Sequence, residues 1–393
     1  MRRLSDLPVA GKRVFVRVDF NVPLADGHVA DATRIEASLP TIRWLLEQGA
    51  RPVLASHLGR PKGARQAGLS LRPVADRLST LVDCPVVLAP DCVGKSIEGL
   101  TTELQPGTIL LLENLRFHSE EEANDPEFAA QLARLADVYV NDAFGAAHRA
   151  HASTTGMVSH FPERAAGLLL MREVEVLSRL MESPASPFLS ILGGAKVSDK
   201  IGVIESLLSR VQEFCIGGAM AYTFLKAKGL PVGRSRVEDD KIDMARETLA
   251  RATQAGVSIH LPVDHVIAEH MQADASTSIV TADVFPPDML GVDIGPETAK
   301  RYAEHVLQAR TVLWNGPMGI FEIPAFSKGT RAIAEALAKT EATTVVGGGD
   351  SVAALAQAGT LDAVTHVSTG GGASLQFLEG RPLPGLSALE ESA

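Results

Sequence analysis

The sequence predicts an α/β protein of two doubly wound, mostly parallel-sheet lobes joined by a helix, with an active-site cleft between them. Short runs rich in Val, Ile and Leu alternate with longer amphipathic stretches along almost the whole chain, which is the pattern of βαβ units. The chain of 393 residues is also longer than one compact domain usually is. Together these observations favour two lobes of the same class.

The first half contains the predicted strands of the first lobe. They are, in order, RVFVRV, RPVLAS, PVVLA, TILLL and DVYVND. Helical stretches such as DATRIEASLPTIRWLLEQG and LRPVADRLSTLV lie between them, with apolar residues at the spacing of an amphipathic helix. The alternation of the two kinds of segment predicts a parallel sheet with helices on both faces.

The second half repeats the alternation. Its predicted strands are PFLSIL, EFCIG, VSIHLP, TVLWNG, ATTVVGGG and VTHVST, and its helices include AKVSDKIGVIESLLSRV, EDDKIDMARETLARATQAG and GPETAKRYAEHVLQAR. A helix-period segment over residues 168–183 ends at PASP and predicts an interdomain connector. We therefore expect one domain of residues 1–170 plus the tail 380–393, and a second of residues 171–379 that begins with this helix.

The composition limits the classes of partner. A net charge of -10 disfavours nucleic acid, because a surface that binds a polyanion needs excess cationic charge. No uncharged apolar run of about 18 residues predicts a membrane span, and no secretion signal follows the N-terminus. We expect a cytoplasmic monomer that binds neither nucleic acid nor membrane.

Charged and polar residues cluster directly after the strands of the first lobe. Ligands of such sheets bind beyond the carboxyl ends of the strands. The clusters are DFNVP, HLGRPKG, ENLRFHSEEE and NDAFGAAHRAHAS, and Arg34 lies one turn into the first long helix. Four arginines, Arg34, Arg60, Arg116 and Arg149, offer paired donors for phosphate and carboxylate groups, so the clusters predict a site for a small, multiply charged anion.

The second lobe has glycine-rich turns after its strands. Gly193 and Gly194 precede Lys196 and Lys200, which we expect on one face of a helix in its first turns. Glycines before a helix N-terminus, with lysines at that end, predict a phosphate site. The turn in CIGGAMAYTF lacks side chains and is expected to admit a flat ring such as adenine.

A later glycine-rich turn, VVGGGDS, places Asp350 at a helix start. Asp350 could cap that helix or, beside a triphosphate, hold Mg²⁺. By contrast, APDCVGKS fits the loose form of a phosphate-binding loop but has one glycine and a negative charge where backbone donors are needed. We interpret it as a chance match, with Lys95 an exposed charge at a helix start.

With these residues in place, the chain resembles the phosphoglycerate kinases. The motifs that carry the resemblance are RVFVRVDFNVP, SHLGRPKG, ENLRFHSEEE, NDAFGAAHRAHAS, GGAKVSDKI, WNGPMGIFE, GGGDS and STGGGAS, and they cover essentially the whole chain in the family's order. Ser351 stands where the family more often has Thr, which keeps the hydroxyl.

The resemblance implies two sets of binding residues. It implies that 3-phosphoglycerate is bound by Asp19, Phe20, Asn21, Arg34, His57, Leu58, Gly59, Arg60, Arg116 and Arg149. It implies that the adenine nucleotide, ATP or ADP, is bound by Lys196, Lys200, Glu322, Gly348, Gly349, Asp350 and Ser351, with Mg²⁺ on Asp350.

The reaction implied is reversible, Mg²⁺-dependent phosphoryl transfer between ATP and the carboxylate of 3-phosphoglycerate, giving 1,3-bisphosphoglycerate and ADP. The catalytic residues expected are Arg34 and Lys196 beside the transferred group, Lys200, and the backbone N–H groups of Gly370, Gly371 and Gly372. A hinge-bending motion about the 168–183 helix is expected to bring the lobes together and exclude water.

Two alternatives belong to other classes. An NAD-dependent two-domain dehydrogenase needs GxGxxG after a strand and an acidic residue about 20 positions later, and LGGAKVSDKIG lacks that spacing. A two-lobed anion-binding protein without enzymatic activity would usually be exported. Binding of Mg-ATP without NAD would exclude the first, and turnover of ATP would exclude the second.

Overall fold

A computed structural model describes residues 1–390 of the chain. Contacts between residues divide it into two compact units. Unit 1 comprises Met1–Glu175 and the chain from Pro382 onward, and unit 2 comprises Val176–Arg381. The helix predicted over residues 168–183 is observed at Leu168–Glu182 and contains the point of division. Within the described residues, no helix has both the length and the apolar character needed to cross a bilayer.

Unit 1 is built on a parallel sheet with the strand order β5-β6-β4-β1-β7-β8. Central β1 pairs in parallel with both β4 and β7, and this places the carboxyl ends of all three at one edge. A hairpin of β2 and β3 follows β1. The strands are β1 Arg13–Arg17, β2 Leu24–Ala25, β3 His28–Val29, β4 Arg51–Ala55, β5 Val86–Leu88, β6 Ile109–Leu111, β7 Val138–Asn141 and β8 Arg164–Ala166.

Helices cover the sheet of unit 1 and bury its apolar side chains. Val14 and Val16 of β1 are fully buried in one core with Ile35 and Ile42 of the first helix, since residues two apart on a strand share a face. The helices are α1 Thr33–Glu47, α2 Arg72–Ser79, α3 Lys95–Glu103, α4 Ser119–Glu122, α5 Pro126–Ala133 and α6 Leu168–Glu182. Lys95 is exposed at the start of α3, as predicted.

Unit 2 contains a second parallel sheet, with the order β11-β10-β9-β15-β16-β17. Its apolar core includes Trp314 of β15, which is fully buried. The mostly parallel α/β class is therefore confirmed in both units. The strands of unit 2, including a smaller sheet described below, are β9 Phe188–Leu192, β10 Glu213–Ile216, β11 Ser258–His260, β12 Asp264–Ala268, β13 Thr277–Thr281, β14 Leu290–Ile294, β15 Thr311–Asn315, β16 Thr343–Gly347 and β17 His366–Val367.

The helices of unit 2 follow its strands, and one further helix returns to unit 1. They are α7 Ile201–Leu207, α8 Met220–Ala227, α9 Ile242–Gln254, α10 Pro296–Gln308, α11 Lys328–Leu337, α12 Gly349–Ala358 and α13 Gly372–Leu378, followed by α14 Pro384–Glu390 in unit 1. Gly385 of α14 packs against Ala147, so this last helix is held by a close backbone approach within unit 1.

The antiparallel sheet of unit 2 was not predicted from the sequence, and neither was the short β2–β3 hairpin of unit 1. β12 pairs antiparallel with β13 and with β14, and a register shift occurs between Val266 and Ile267. β12 is buried throughout, whereas β13 is almost entirely exposed. A strand with so few buried residues shows little apolar periodicity. β13 is therefore recognised by its pairing with β12 and not by its sequence pattern.

The helix expected to carry both Lys196 and Lys200 is shorter than predicted. α7 begins at Ile201, Lys200 is its N-terminal cap residue, and Lys196 lies in the irregular segment before it. The two lysines therefore do not share a helical face. Val197 of this segment is buried, and Ser198 is bound through its N–H and hydroxyl to the carboxylate of Glu238. These tertiary contacts override the helical periodicity of the sequence.

Asp142 binds the start of α6. Its Oδ1 accepts hydrogen bonds from the N–H groups of Leu169 (2.9 Å) and Leu170 (3.2 Å), and it also accepts one from the Thr41 side chain. Burial raises the pKa of Asp142 to about 7. Asp142, which directly follows β7, thus caps the N-terminus of α6, although the two are well separated along the chain. The protonation of its carboxyl group is coupled to folding.

We expect Asp142→Asn to change the pH dependence of stability. Because the folded pKa lies above the unfolded one, the contribution of Asp142 is present below about pH 4 and lost as pH rises through about 7. Asn is neutral throughout. Between pH 4 and 8 the unfolding free energy of the variant should therefore rise relative to wild type, by at most about 4 kcal/mol. Urea unfolding across this range, with exposed Asp76→Asn as control, checks it; parallel curves for Asp142→Asn and wild type would contradict it.

Candidate active site

In unit 1, Asp19 lies at the centre of the polar edge formed by the loops after β1 and β4. Arg34 Nη1 donates to Asp19 Oδ2 at 2.7 Å, and His57 Nδ1 lies 4.0 Å from Asp19 Oδ1. Asp19 and His57 are buried, whereas the Arg34 side chain is about one-third exposed at 32%. The arrangement holds the Arg34 guanidinium at the edge with donors left for an anion.

Hydrogen bonds join the loops of this edge. The N–H of Gly59 donates to Asn21 Oδ1 at 2.8 Å, and Arg116 Nη1 donates to the carbonyl of Gly59 at 3.0 Å. Asn114, at the end of β6, binds both the N–H and the carbonyl of Leu58. Three strand-end loops are therefore fixed to one another before any ligand binds.

The edge has a positive electrostatic potential. Burial, followed by Arg17, Arg116 and Arg34, lowers the pKa of His57 well below its usual value. Burial and the neighbouring arginines lower the pKa of His151 to about 3. Both imidazoles are thus neutral at pH 7, and the same field that disfavours their protonation favours the binding of an anion.

The remaining predicted residues of unit 1 differ in accessibility. Arg60 and Arg149 are exposed, and Arg149 Nε donates to His148 Nε2 at 3.1 Å. Phe20 and Leu58 are buried in the core of the unit, so their side chains position loops and only their backbones can face a ligand.

A buried polar network behind the edge was missed in the sequence. Arg17 Nη2 lies 3.2 Å from His57 Nδ1, and Arg17 Nε donates to Ser153 Oγ at 2.8 Å. Ser153 Oγ in turn donates to the fully buried Glu121 at 2.5 Å. The available signal was Arg17 itself, because an arginine within an otherwise apolar strand must be paired if it is buried.

In unit 2, the loops after β9, β10 and β15 pack backbone against backbone. A Cβ on Gly193 would collide with the carbonyl of Pro317, and one on Gly217 would collide with Met318. Gly218 has a φ of +64°, and a Cβ there would likewise collide with the backbone of Gly194. These glycines are therefore required by the approach of the loops. In the turn expected to admit a flat ring, Met318 occupies the space beside Gly217, whereas Gly218 and Ala219 line a cavity.

A cavity of about 290 Å³ opens beside these loops. It brings together two predicted residues, Glu322 and Asp350, with the backbone of Gly194 and Gly218. Much of the remaining lining is apolar and was not predicted as a binding surface, because it comes from three separate parts of the chain: β14 of the antiparallel sheet, α8 and the loop after β15. These further residues include Tyr222, Leu290, Val292, Pro317, Met318 and Ile320.

The two predicted lysines occupy different environments. Lys200 is partly buried, and its Nζ donates a hydrogen bond to Asn315 Oδ1 at the end of β15. Burial lowers the pKa of Lys200 to about 8, opposed by Asp199 and Asp350. Lys196 is exposed, on the loop between Gly194 and α7. One lysine is thus exposed and the other is held by a hydrogen bond.

The glycine-rich turn before α12 positions Asp350 without using it as a cap. Gly348, with a φ of +92°, is the N-terminal cap residue and Asp350 lies exposed in the first turn. Ser351 is buried, and its Oγ accepts from the N–H of Gly316 at 2.7 Å. The capping alternative for Asp350 is therefore wrong, and its carboxylate is available to a cation.

The turn before α13 forms another glycine-rich edge of unit 2. Gly370 is buried and donates its N–H to Ser368 Oγ at 3.2 Å, while Gly371 has a φ of +52° and Gly372 is exposed. The N–H of Gly370 is therefore already engaged. Gly371 and Gly372 begin α13 and have the exposure needed to donate to a ligand.

Comparison of sequences places this chain near one family. The family model described as phosphoglycerate kinase matches residues 4–381. A phosphoglycerate kinase of Anaeromyxobacter dehalogenans is 55% identical over 100% of both chains. One of Moorella thermoacetica is 56% identical over 99% of this chain and 98% of its own.

Solved structures show the same similarity. The phosphoglycerate kinase of Coxiella burnetii is 42% identical and matches with a TM-score of 0.87, over 99% of this chain and 98% of its own. That of Pyrococcus horikoshii is 35% identical with the same TM-score and the same coverage.

Proposed function

Because this chain belongs to the phosphoglycerate kinase family and is therefore a kinase that phosphorylates a carboxyl group, we propose which residues bind each substrate. The arginine-rich edge of unit 1 binds 3-phosphoglycerate or 1,3-bisphosphoglycerate. The cavity and glycine-rich turns of unit 2 bind ATP or ADP. In glycolysis the reaction runs from 1,3-bisphosphoglycerate and ADP toward ATP.

The observation that carries this assignment is the difference in chemistry between the two units. Arg34, Arg60, Arg116 and Arg149 all follow strands of unit 1 or lie near them. Burial, followed by the charges of Arg17, Arg116 and Arg34, lowers the pKa of His57 and keeps it neutral at pH 7. The cavity of unit 2 instead has an apolar lining suited to a planar base, with the carboxylate of Asp350 at its margin. The arginine-rich edge of unit 1 therefore suits an anionic substrate, and the cavity of unit 2 suits a nucleotide with its cation.

The residues act by position and charge rather than by proton transfer. The nucleophile is a carboxylate that already carries its charge, so no protein base is required. We propose that Arg34 and Lys196 neutralise the transferred phosphoryl group, that Lys200 binds the phosphate chain, and that Gly371 and Gly372 of the turn Gly370–Gly372 supply backbone donors. Lys200 is pre-positioned for this role by its bond to Asn315.

The residues beside the cavity fit a magnesium ion. Asp350 offers an exposed carboxylate that is not engaged in capping α12, and a hard cation prefers such oxygen ligands together with phosphate oxygens. Bound there, Mg²⁺ would supply charge neutralisation to the nucleotide phosphates. The residues Gly348, Gly349 and Ser351 fix the turn that presents Asp350.

Three further properties complete the proposal. We propose that the enzyme works in the cytoplasm as a monomer, without nucleic acid or membrane partners. Direct phosphoryl transfer requires contact between the reacting oxygen and phosphorus, so we propose a hinge-bending motion about α6 when both substrates bind. Small-angle X-ray scattering should show a smaller radius of gyration with both substrates; an unchanged radius would contradict the motion.

A coupled assay tests the function. With ATP, Mg²⁺ and 3-phosphoglycerate, we expect 1,3-bisphosphoglycerate to form in proportion to ADP. Glycerate, which lacks the phosphate that the arginines would bind, should react far more slowly. Absence of acyl phosphate, or ATP turnover that does not depend on 3-phosphoglycerate, would contradict the proposal, as would tight binding of NAD.

A further inference from the structure

Three potential metal ligands meet at the outer part of the unit 2 sheet. Glu213 is the first residue of β10, His260 is the last residue of edge strand β11, and His305 lies in the last turn of α10. The cavity described above uses Gly218, beyond the opposite end of β10. The cluster is therefore separate from the proposed nucleotide site.

The strand register explains why these side chains converge. Glu213 and Cys215 are two apart on β10 and share a face, and Cys215 is the partner of His260 in the β10–β11 ladder. On α10, Tyr302 donates its hydroxyl to the carbonyls of Ile216 and His260, at 2.8 and 2.9 Å. These bonds hold α10 against the two outer strands β10 and β11 and set His305, three residues later, beside His260.

The donor atoms share one small volume. His305 Nδ1 lies 2.6 Å and His260 Nε2 lies 3.3 Å from the same oxygen, Glu213 Oε2, and all the donor atoms lie within 4.8 Å of one another. The ring centroids of the two histidines are 4.1 Å apart. His260 Nε2 is shielded from solvent and has no hydrogen-bond partner of acceptable geometry among residues 1–390.

These atoms have the spacing that a metal needs. Ligands at about 2.0–2.1 Å from a tetrahedral ion lie about 3.3 Å apart, which is the His260–Glu213 separation. The His305–Glu213 separation would open by less than about 1 Å, and both side chains are partly exposed and able to rotate.

We propose that Glu213, His260 and His305 bind one divalent transition-metal ion of the zinc class. Two imidazoles and one carboxylate are the ligand set of open zinc sites, in which water takes the fourth position. Imidazole ligands favour zinc and its neighbours over magnesium or calcium. The ion would link β10, edge strand β11 and α10, and it stabilises unit 2 in the folded state. This site does not depend on the proposed function.

The alternative is a trio held only by hydrogen bonds, with Glu213 accepting from both histidines. The two arrangements differ in their response to metal. A hydrogen-bonded trio loses stability on substitution whether or not metal is present. A metal site gives a stability gain that depends on zinc concentration and that the substitution abolishes.

Zinc titration of the full-length, chelator-treated protein tests the proposal. Isothermal titration calorimetry with ZnCl₂ in magnesium-free buffer should show one tight event per chain for wild type. His260→Gln and His305→Gln should each weaken it by more than about 100-fold, since loss of even an outer partner of a ligating histidine costs roughly 10–100-fold. The melting temperature should rise with zinc for wild type only.

Matched controls separate this site from other donors. The other cluster of three potential ligands in the described chain is Asp91, Cys92 and His118, and His270 is an exposed histidine of unit 2. His118→Gln and His270→Gln should keep the zinc event. If a histidine variant does not fold, Glu213→Gln, which preserves side-chain volume, takes its place in the zinc titration. Loss of binding in His118→Gln, or equal zinc binding in wild type and His260→Gln, would overturn the proposal.

Discussion

Arg34→Ala should lower kcat by about 10³-fold, which corresponds to about 4 kcal/mol of transition-state stabilisation. The reason is that Arg34 is the arginine of unit 1 that a buried carboxylate, Asp19, holds in place at 2.7 Å while about one-third of its side chain stays exposed. A fixed guanidinium beside a transferred phosphoryl group contributes on the scale of 10³–10⁵. Steady-state kinetics and a separate titration of Mg-ATP measure the effect, and the nucleotide Kd should change by less than about twofold.

Two controls make this result specific to Arg34. Arg72→Ala removes an exposed arginine of the same unit and should leave kcat unchanged. Arg34→Lys keeps the charge but not the paired donors, and its kcat should fall between those of Arg34→Ala and wild type. If Arg34→Ala retains wild-type turnover, Arg34 has no role at the transferred group.

Lys196→Ala should lower kcat by about 10²–10³-fold, as the loss of one charge-stabilising donor does in other active sites. Lys196 is exposed on the loop that follows Gly194, so the substitution removes a charge without leaving a cavity or an unpaired buried group. Its effect on stability should therefore be within about 0.5 kcal/mol. Kinetics at saturating substrates, together with thermal unfolding, separate the two effects.

Lys228→Ala is the matched control, because Lys228 is an exposed lysine of the same unit at the end of α8. It should leave kcat unchanged. Normal turnover of Lys196→Ala would show that the phosphate is neutralised elsewhere, and the partly buried Lys200 would then be the remaining lysine of this segment.

Much of the fold could be predicted because its strands are buried and its helices amphipathic. The β1 segment, RVFVRV, has four of its five observed residues buried, and the central strand pairs in parallel on both sides. β13 could not be found in this way because its residues are mostly exposed. α7 was predicted too long because the burial of Val197 and the contact between Ser198 and Glu238 are tertiary effects.

The sequence predicted the site residues that directly follow strands. It missed the residues that lie behind the strand ends or come from other segments of the chain. Asp19, Asn21, His57 and Gly59 lie together as strand-end residues of parallel strands should. Ser153 and Glu121 lie within the motifs NDAFGAAHRAHAS and ENLRFHSEEE, but nothing in either motif indicates that these two residues pair behind the edge. Part of the apolar lining of the unit 2 cavity, Leu290 and Val292, likewise comes from the antiparallel sheet that the sequence did not indicate.

The central claim is that each substrate is bound by its own unit, and paired calorimetric titrations test it most directly. 3-Phosphoglycerate and Mg-ADP are titrated separately into wild type, Arg34→Ala and Lys196→Ala. Arg34→Ala should weaken the binding of 3-phosphoglycerate by about tenfold or more and leave the affinity for Mg-ADP unchanged. Lys196→Ala should weaken the binding of Mg-ADP and leave the affinity for 3-phosphoglycerate unchanged. The size of the effect follows because a lost charged hydrogen bond costs about 1.5–3 kcal/mol. If Arg34→Ala weakens only the binding of Mg-ADP, or Lys196→Ala weakens only the binding of 3-phosphoglycerate, the assignment of one substrate to each unit is wrong.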